Sequence, residues 1–548
     1  MSLLDDVSIV VTPNGYKAGE LYAVIPVPTE GAELVPSVAS IVNAGGGTIT
    51  QISGNSYSST SDGTSGSAVR PKFDLSTTAG KRYKLTITPT GTISGTVNFD
   101  FYDGSSYLFQ NYDFTTTKEI YFIDNGSVFG AFDGTQTYNI SSFTVSVKEY
   151  TSADMDVTRA TAATRVDEDG LVNYAEILGG EEVTNGDFTQ LPLGTSWDAY
   201  TSGSSTVAFT EGAILSIDGS NSNVGVYQQN IFTNGVQYKI VVSVKATASF
   251  DAEIVESQGA ATQTTIGTVS LTTSYQDFVF YFTGTGTNDL FIHRLYGETA
   301  GQNQQIYIKE VSVKEVTRDN VPRIDYTGGG CPHILAEPQR TNNLTASQDL
   351  TNLFWNSIST ETIVASTVLS PDGTTFGFKA IPSASSGNTT HYVDYDYGFL
   401  SMPIGEVTYS IFVKPFGYTN FQIAPSSGMN SRYQNFELTG DGVLGAGDVN
   451  GAKIEKIGDW YRCSITETSV SASPRVLNIA TPTSGLGRNP TFTGNGTDGV
   501  LLWGGQIEEG TYGTSYIPNL STASGSTVTR NQDIFTRDGI GSLINSTE

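Results

Sequence analysis

The side chains that most often carry catalysis or bind metals are few and scattered in this chain. Its only histidines are His293, His333 and His391, and its only cysteines are Cys331 and Cys463. Zinc sites need such ligands at short, regular spacings, and a nucleophilic serine or cysteine needs a neighbouring base. Neither pattern is present, and no Gly-x-Ser-x-Gly segment is evident. We therefore expect no enzymatic activity and no cofactor.

Acidic and glycine-rich segments also lack the spacing of known ion and phosphate sites. Residues 167–170 and 441–448 do not supply the spaced acids and final Glu of an EF-hand. Residues 284–286 and 442–447 are glycine-rich, but no lysine and helix follow them, so we interpret them as turns. A structural calcium ion held by loop carbonyls and one Asp is compatible with the sequence. Acids are plentiful enough for a glycosidase pair, yet no pair stands out.

Composition narrows the class of protein further. The 548 residues include 60 Gly, 28 Tyr and 27 Phe, with only 15% charged residues. This balance favours strands and turns over amphipathic helices, which argues against helical bundles and doubly wound α/β enzymes. The net charge of −27 argues against a nucleic-acid-binding role. No apolar stretch approaches 18 residues, so we expect no membrane insertion.

Three long segments share a pattern that indicates an internal repeat. In each, a turn precedes an alternating strand that contains a tyrosine, at residues 80–87, 235–242 and 405–412. The segments 143–149 and 309–315 also match over their last five residues, Val-Ser-Val-Lys-Glu. Short alternating strands between turns predict an all-β fold of tandem antiparallel β-sandwich (jelly-roll) domains joined by short extended linkers. The four tryptophans are expected in the cores.

The three long segments and the stretches around them divide the chain into seven parts. We predict an N-terminal docking segment at 1–30, β-sandwich 1 at 31–151, a linker at 152–178, β-sandwich 2 at 179–316, a linker at 317–340, β-sandwich 3 at 341–520 and a connector at 521–548. The linkers and the connector share Val-Thr-Arg, ending at Arg159, Arg318 and Arg530. Regular arginines in an acidic chain predict salt bridges between domains or between subunits.

Several motifs resemble those of one class of protein. The segments 158–166, 322–326, 337–342, 503–510 and 514–518 look like those of bacteriophage virion fibre or appendage proteins with tandem carbohydrate-binding-module-like jelly-rolls. Asn185-Gly-Asp-Phe188, followed by Trp197, is similar to the opening strand of galactose-binding-like modules, and so are residues 344–350 followed by Trp355. The first segment lacks this motif. Residues 541–548 resemble the beginning of a further lectin-like domain, so we expect the natural chain to continue.

The resemblance implies a structural protein on the exposed surface of a virion, in a tail or head fibre. Its sandwich modules would bind host-surface glycans weakly, with many copies supplying avidity. Slender fibres usually trimerise, so we expect a homotrimer. Two alternatives stay open. One is a collar or decoration protein without a ligand, and the other is the non-catalytic part of a polysaccharide depolymerase.

Candidate ligand-binding residues come from strands with exposed aromatic and acidic side chains. In the segment 391–397, side chains alternate between two faces of a predicted strand. We expect Val393, Tyr395 and Tyr397 to face the core. The other face would be an exposed row of acceptors with one ring for stacking. The second sandwich offers two similar tyrosines. The candidate residues are Tyr392, Asp394, Asp396, Tyr281 and Tyr296.

The first 30 residues contain apolar side chains that precede any predicted domain. Pro26 and Pro28 separate them from the first sandwich, and one apolar face suits strand addition to a neighbouring subunit. We therefore predict that residues 1–30 dock onto other virion proteins, and that their deletion leaves folded modules that no longer join the virion. The alternative is an edge strand of the first sandwich, in which case the deletion would lower that module's melting temperature.

Overall fold

The computed structural model consists of antiparallel β-structure and confirms the predicted fold class of tandem β-sandwiches. It forms two compact units, one of residues 1–15, 22–155 and 536–548 and one of residues 16–21 and 156–535. No helix among the described residues is long and apolar enough to cross a membrane. The structure describes residues 13–23, 29–34, 41–43, 46–64, 71–151, 155–190, 196–210, 212–220, 222–257, 263–294, 299, 301–328, 332–360, 363–395 and 404–536.

The first sandwich lies in the first unit. Its strands follow β1 (Pro13–Lys17) and β2 (Glu20–Ala23), and they are β3 (Thr29–Glu33), β4 (Ile41–Val42), β5 (Gly47–Ser53), β6 (Ser56–Asp62), β7 (Lys72–Asp74), β8 (Arg82–Pro89), β9 (Ile93–Gly95), β10 (Asn98–Tyr102), β11 (Tyr107–Asp113), β12 (Lys118–Ile123), β13 (Phe129–Phe132) and β14 (Thr137–Thr151). One sheet has the order β12-β8-β14-β6-β5, with β3 and β9 also paired to β14. The other has the order β11-β10-β13-β7-β4.

The second sandwich follows a first linker that holds β15 (Met155–Thr158), β16 (Thr164–Val166) and β17 (Val172–Tyr174). Its strands are β18 (Ile177–Glu181), β19 (Asp198–Thr201), β20 (Thr206–Phe209), β21 (Ala213–Ser216), β22 (Val224–Gln228), β23 (Gln237–Ala246), β24 (Phe250–Ser257), β25 (Gln263–Leu271), β26 (Gln276–Thr283), β27 (Asp289–Arg294) and β28 (Gln305–Thr317). One sheet has the order β20-β21-β28-β23-β26, with β18 on β28, and the other β19-β22-β27-β24-β25.

The third sandwich follows a second linker with β29 (Ile324–Asp325), β30 (His333–Ile334) and β31 (Arg340–Asn342). Its strands are β32 (Trp355–Ile358), β33 (Ala365–Leu369), β34 (Phe376–Ala380), β35 (Tyr392–Tyr395), β36 (Gly405–Phe416), β37 (Asn420–Pro425), β38 (Gln434–Glu437), β39 (Val443–Gly447), β40 (Gly451–Ile457), β41 (Trp460–Ser469), β42 (Val476–Thr481) and β43 (Gly499–Glu509). Its sheets have the orders β33-β34-β43-β36-β41-β40 and β32-β35-β42-β37-β38-β39, and β44 (Val528–Arg530) and β45 (Ile534–Thr536) follow.

The three sandwiches share one connectivity, which gives the predicted repeat a structural counterpart. In each, the long last strand (β14, β28 or β43) lies inside the first sheet, and the strand before it (β13, β27 or β42) is central in the second sheet. The first two copies also share a contact, because Glu33 accepts from Val147 N at 2.6 Å and Glu181 accepts from Val313 N at 2.7 Å. All four tryptophans are buried, as predicted.

The alternation of side chains explains why these segments form half-buried strands. In β8, Tyr83, Leu85 and Ile87 are buried in the core, and the residues between them are partly exposed. This period of two is expected of a strand with one face in a core. The hydroxyl of Tyr83 accepts from Thr78 N at 2.9 Å, which fixes the turn that precedes the strand.

Arginines of the two linkers and of the C-terminal connector form a buried ion-pair network in the second unit. The pairs join connecting segments of one chain, whereas bridges between domains or subunits were predicted. Arg159 Nη1 lies 2.7 Å from Asp533 Oδ1. Arg323 Nη2 and Arg530 Nη1 each lie 2.8 Å from Glu337 Oε2, and Arg323 also pairs with Asp533. Asp533 and the three arginine side chains are almost fully buried. The network therefore joins both linkers to the C-terminal connector.

The segment predicted to dock onto the virion is partly used inside the chain. Gly19 N donates to Asn320 O at 2.7 Å, Val157 N donates to Gly19 O at 2.8 Å, and Leu21 is fully buried. Residues 29–33 form β3, which pairs with β14 at an edge of the first sandwich. The apolar residues of 1–12 lie outside the described residues, and docking by them stays a prediction.

Candidate functional site

The outward face of the second sheet in the first sandwich carries a group of neighbouring aromatic side chains that are accessible to solvent. Phe99 and Phe101 of β10 are buried in the core. Because successive side chains of a strand point to opposite faces, Asp100 and Tyr102 face outward. The same alternation buries Phe73 of β7 and turns the flanking Lys72 outward.

Four neighbouring strands align these outward side chains into one row. Tyr107 of β11 pairs with Tyr102 of β10, Tyr102 with Phe129 of β13, and Phe129 with Asp74 of β7. The ring centroid of Tyr102 lies 5.2 Å from that of Tyr107 and 5.1 Å from that of Phe129. Tyr107 is 42% exposed. We call Tyr107, Tyr102 and Phe129 the aromatic row; it is a shallow platform across three strands, roughly 10 Å wide at the usual strand spacing.

Charged groups lie at one end of the aromatic row. Lys72 Nζ is 4.8 Å from the ring centroid of Phe129 and 3.0 Å from Asp74 Oδ1, and both of these charged side chains are substantially exposed. Asp100 is buried and accepts from Asn111 N at 2.6 Å, where Asn111 has a φ of 55°. Asp100 therefore holds the irregular backbone of β11 against β10.

This arrangement suits a ligand that alternates apolar and hydroxyl-bearing faces. The exposed ring faces can stack on C–H groups, and the ammonium and carboxylate can donate to and accept from hydroxyls. An open face of this kind buries little of its ligand, because enclosed pockets are what bury most of a small molecule. A sugar ring fits these requirements, and its binding here would be weak.

The second sandwich has an aromatic cluster at the corresponding place, but its members are more deeply buried. Tyr227 of β22 pairs with Phe291 of β27, whose ring stacks on His293 with centroids 4.5 Å apart. Phe291 and His293 are each only 3% exposed. Gly225 makes room for this stack, because a Cβ there would lie 2.5 Å from the Phe291 ring.

His293 is the titratable member of this cluster. Its Nδ1 lies 2.6 Å from Arg294 O, and its Nε2 lies 3.8 Å from Glu253 Oε2. Burial lowers the pKa of His293, and the Arg294 carbonyl and the Glu253 carboxylate only partly oppose this. The imidazole is therefore neutral at neutral pH, and it offers an aromatic surface more than a charge.

The third sandwich places two predicted residues side by side but ties both of them to an arginine. Arg475 Nε donates to Asp394 Oδ2 at 2.7 Å, and its Nη2 donates to the Tyr392 hydroxyl at 3.2 Å. Asp394 is fully buried, whereas an exposed acceptor was expected. As predicted, Val393 and Tyr395 face the core. Asp396 and Tyr397 lie outside the described residues.

Residues 486–489 bridge the outward face of this sheet. Gln422 Nε2 donates to Gly487 O at 3.0 Å, and Asn489 N donates to Gln422 Oε1 at 2.7 Å. Asn435 Nδ2 donates to Leu486 O at 2.7 Å. We call residues 486–489 the roof segment. Its contacts leave Gln422 fully buried.

Tyr281 of the second sandwich stabilises the linkers. Its hydroxyl donates to Glu176 Oε1 at 3.0 Å, and the Arg318 guanidinium lies 3.9 Å from its ring centroid. Arg318 also lies 4.2 Å from the ring of Tyr174 and pairs with Glu176 at 2.9 Å. Tyr296, the other candidate there, lies outside the described residues.

The aromatic row was not predicted from the sequence, although part of its signal was present. The strand Asn98-Phe-Asp-Phe-Tyr102 alternates two phenylalanines with polar and tyrosine side chains, which indicates one core face and one ring on the other. Phe129 and Tyr107 join this ring only through strand pairing between distant segments. Local pattern carries no information about that pairing.

The absence of a cofactor remains a prediction, and so does a structural calcium ion. Among the described residues, no group of three or more His, Cys, Asp or Glu side chains could hold a metal ion. The structural calcium ion considered in the sequence analysis would be bound mainly by loop carbonyl groups, which are not among these side chains.

No protein-family model and no curated protein matches the chain. Similar solved structures include a family 4 carbohydrate-binding module at 19% identity and a TM-score of 0.20, covering 24% of this chain and 99% of that chain. A mutant family 29 carbohydrate-binding module has 14% identity and a TM-score of 0.20, covering 26% and 92%. The N-terminal cellulose-binding domain of β-1,4-glucanase C from Cellulomonas fimi has 16% identity and a TM-score of 0.20, covering 24% and 95%.

Proposed function

We propose that this protein binds glycans and that the aromatic row of the first sandwich is its main sugar-binding surface. The observation that carries the proposal is the alignment of Tyr107, Tyr102 and Phe129 across neighbouring strands, with Lys72 and Asp74 at its end. Rings on an outward face contribute little to the core, so their grouping there needs another explanation. Stacking on sugar rings provides it.

The binding expected of such a surface is weak and multivalent. An open row buries only part of each sugar, whereas the rows of several chains can act together and raise the overall affinity.

The biological setting is a further part of the proposal. We infer that the chain is a virion fibre or appendage protein of a bacteriophage, displayed as a homotrimer for attachment to host-surface glycans. The linker and C-terminal motifs that resemble such proteins support this. Immunogold labelling of purified phage particles tests the location, and light scattering of the intact chain tests the trimer. Unlabelled particles or a stable monomer would contradict these parts without affecting glycan binding.

Glycan binding is tested on the full chain with a matched pair of tyrosine variants. Tyr102→Ala removes the middle ring of the aromatic row, and we expect it to weaken binding about tenfold, ~1.4 kcal/mol. Tyr121→Ala is the control, because Tyr121 is 53% exposed on β12 in the other sheet and also has a lysine near its ring, with Lys84 Nζ at 5.6 Å. A glycan array identifies the ligand, and titration calorimetry measures both variants.

The same experiment separates the two alternatives. If the wild-type chain binds no glycan at high density, a collar or decoration role without a ligand replaces the proposal. If both tyrosine variants bind equally well, the ligand lies elsewhere on the chain. Degradation of a host polysaccharide by the natural full-length protein would instead favour the depolymerase interpretation.

A further inference from the structure

The second unit contains a cavity of about 340 Å³ that the sugar-binding proposal does not use. The first linker, the second linker, strands β36, β40 and β41 of the third sandwich and residues 513–516 all contribute to its wall. Its volume lies at the small end of the range for ligand-binding pockets. It therefore has room for one small molecule.

The wall of this cavity contains a buried arginine whose charge is poorly compensated. Arg462 is 8% exposed. Its Nη2 donates to Ser410 Oγ at 3.0 Å, its guanidinium lies 5.5 Å from the Phe412 ring centroid, and its Nε has no hydrogen-bond partner. Neither contact supplies a negative charge. A buried cation without an anion is unfavourable, so an anionic ligand would stabilise this site.

The acids in the same wall already have other partners. Both oxygens of Asp325 accept backbone N–H groups, from Val166 at 2.9 Å and Thr327 at 2.8 Å. Glu337 pairs with the linker arginines, and Glu455 lies 2.7 Å from Lys453 Nζ. Glu455 lies opposite Arg462 in the pairing of β40 and β41, but no carboxylate oxygen among the described residues is within ion-pair distance of the Arg462 guanidinium.

A second guanidinium in the wall is also only partly used. Arg165 Nη1 donates to Ile324 O at 3.1 Å, its Nε has no hydrogen-bond partner, and its nearest carboxylate, Glu168, is 3.8 Å away. Two guanidinium groups can bind one carboxylate through paired, charge-assisted hydrogen bonds. The cationic character of the cavity therefore comes from more than one residue.

One part of the wall is apolar or aromatic, beside polar residues such as Thr164, Thr327 and Thr514. Val166, Val172, Phe412, Ile457 and Tyr516 belong to one buried cluster, and all five line the cavity. A ligand with only a charged group, such as an inorganic ion, would leave this surface without contacts. The ligand that satisfies both parts has one carboxylate and a compact body with C–H faces.

We propose that this cavity binds a small organic carboxylate of the size of one sugar acid, held by Arg462 and Arg165. The chemistry is the same whether the acid is free in solution or is the terminal residue of an acidic oligosaccharide. The site is separate from the aromatic row, so it does not depend on the proposed function of that surface.

The test uses the full chain with sodium glucuronate, a glucuronate-terminated oligosaccharide, glucose and sodium sulfate at equal ionic strength. We expect glucuronate to bind and to slow hydrogen exchange in peptides covering residues 164–172 and 513–516. Glucose and sulfate should do neither. Binding of the oligosaccharide as well indicates a glycan end as the source, and binding of free glucuronate alone indicates a free acid. Either result supports the proposal.

Variants separate this cavity from other sites. Arg462→Gln should weaken glucuronate binding roughly tenfold or more, because it removes a charge-assisted contact, and Arg462→Lys should retain part of it. Tyr121→Ala, which belongs neither to the aromatic row nor to the cavity, is the control and should leave glucuronate binding unchanged. If Arg462→Gln does not fold, the exchange experiment on the wild-type chain decides. Absence of glucuronate binding, an equal response to sulfate, or protection only in segments that do not line the cavity overturns the proposal.

Discussion

The first and third sandwiches have the same sheet connectivity, yet they use the outward face of the second sheet in opposite ways. In the first, Tyr107, Tyr102 and Phe129 form an accessible row, and the Lys72–Asp74 pair beside it is well exposed. In the third, the corresponding face contains the fully buried Asp394, and the roof segment bridges it. Strand order therefore does not determine whether this face can bind a ligand.

The difference lies in the partners of the polar side chains on each face. The charges on the first face lie where water also solvates them, so an incoming hydroxyl can replace water at little cost. On the third face, Arg475, Gln422 and Asn435 are bound to the chain itself. A ligand there would have to break buried hydrogen bonds, which is unfavourable.

The first prediction concerns stability in the third sandwich. Asp394→Ala leaves the partly exposed Arg475 without its partner at 2.7 Å, and loss of this charged hydrogen bond costs about 2 kcal/mol. Asp74→Ala in the first sandwich removes an exposed pair and should cost less than about 1 kcal/mol. Denaturant unfolding of the full chain measures both. Similar losses in the free energy of unfolding for the two variants would show that both faces contribute equally to stability.

The second prediction concerns stability in acid, which we expect to fall more in the second unit than in the first. Burial raises the pKa of Glu337, but Arg323 and Arg530 lower it more, and the pKa falls from 4.5 to about 2. A folded pKa below the unfolded value adds stability that is fully present above pH 4.5 and disappears as pH falls toward 2. The contribution is about 3 kcal/mol, of which roughly 2 kcal/mol is lost by pH 3.

This acid dependence is measured by unfolding at pH 7 and pH 3. All residues of the Glu337 network belong to the second unit, so the transition of that unit should show the loss. The control is Glu337→Gln, which cannot ionise and should lose about 2 kcal/mol less than the wild-type chain between the two pH values. Equal losses for the two proteins would mean that other carboxylates determine the acid stability.

The third prediction concerns glycan affinity. Tyr107→Ala at the exposed end of the aromatic row should weaken binding several-fold, ~1 kcal/mol. Tyr392→Ala in the third sandwich should leave it unchanged, because the Tyr392 hydroxyl is engaged by Arg475. Titration with the glycan identified on the array compares the two. A larger loss for Tyr392→Ala would transfer the site to the third sandwich.

The sequence was informative wherever local pattern determines structure. Strand alternation predicted that Val393 and Tyr395 face the core, and the composition predicted the burial of Trp197 and Trp503. Residues 143–149 match residues 309–315 because the two segments occupy corresponding positions in their own sandwiches. The first lies in β14 and the second in β28, and each is the last strand of its sandwich.

The candidate site was harder to predict because it depends on contacts between distant segments. The alternation around Tyr392 correctly suggested a polar outward face, but Arg475, more than 80 residues later, buries Asp394. Phe129 reaches Tyr102 only because β13 pairs with β10. The buried position of Arg462 beside a cavity likewise arises from linker segments far from it in sequence.

The smallest expected effect tests whether the roof segment alone closes the third face. Asn435→Ala removes the hydrogen bonds to Leu486 O and to Gln422 and should cost about 1 kcal/mol, with faster hydrogen exchange in residues 486–489. We expect no gain in glycan binding, because Tyr392 and Tyr433, the rings that pack against Ala424, Leu477 and Ile479, are themselves partly buried. Exchange mass spectrometry and titration test both parts. A gain in affinity would instead show that the two faces differ only in their cover, and that the third sandwich retains a latent sugar-binding surface.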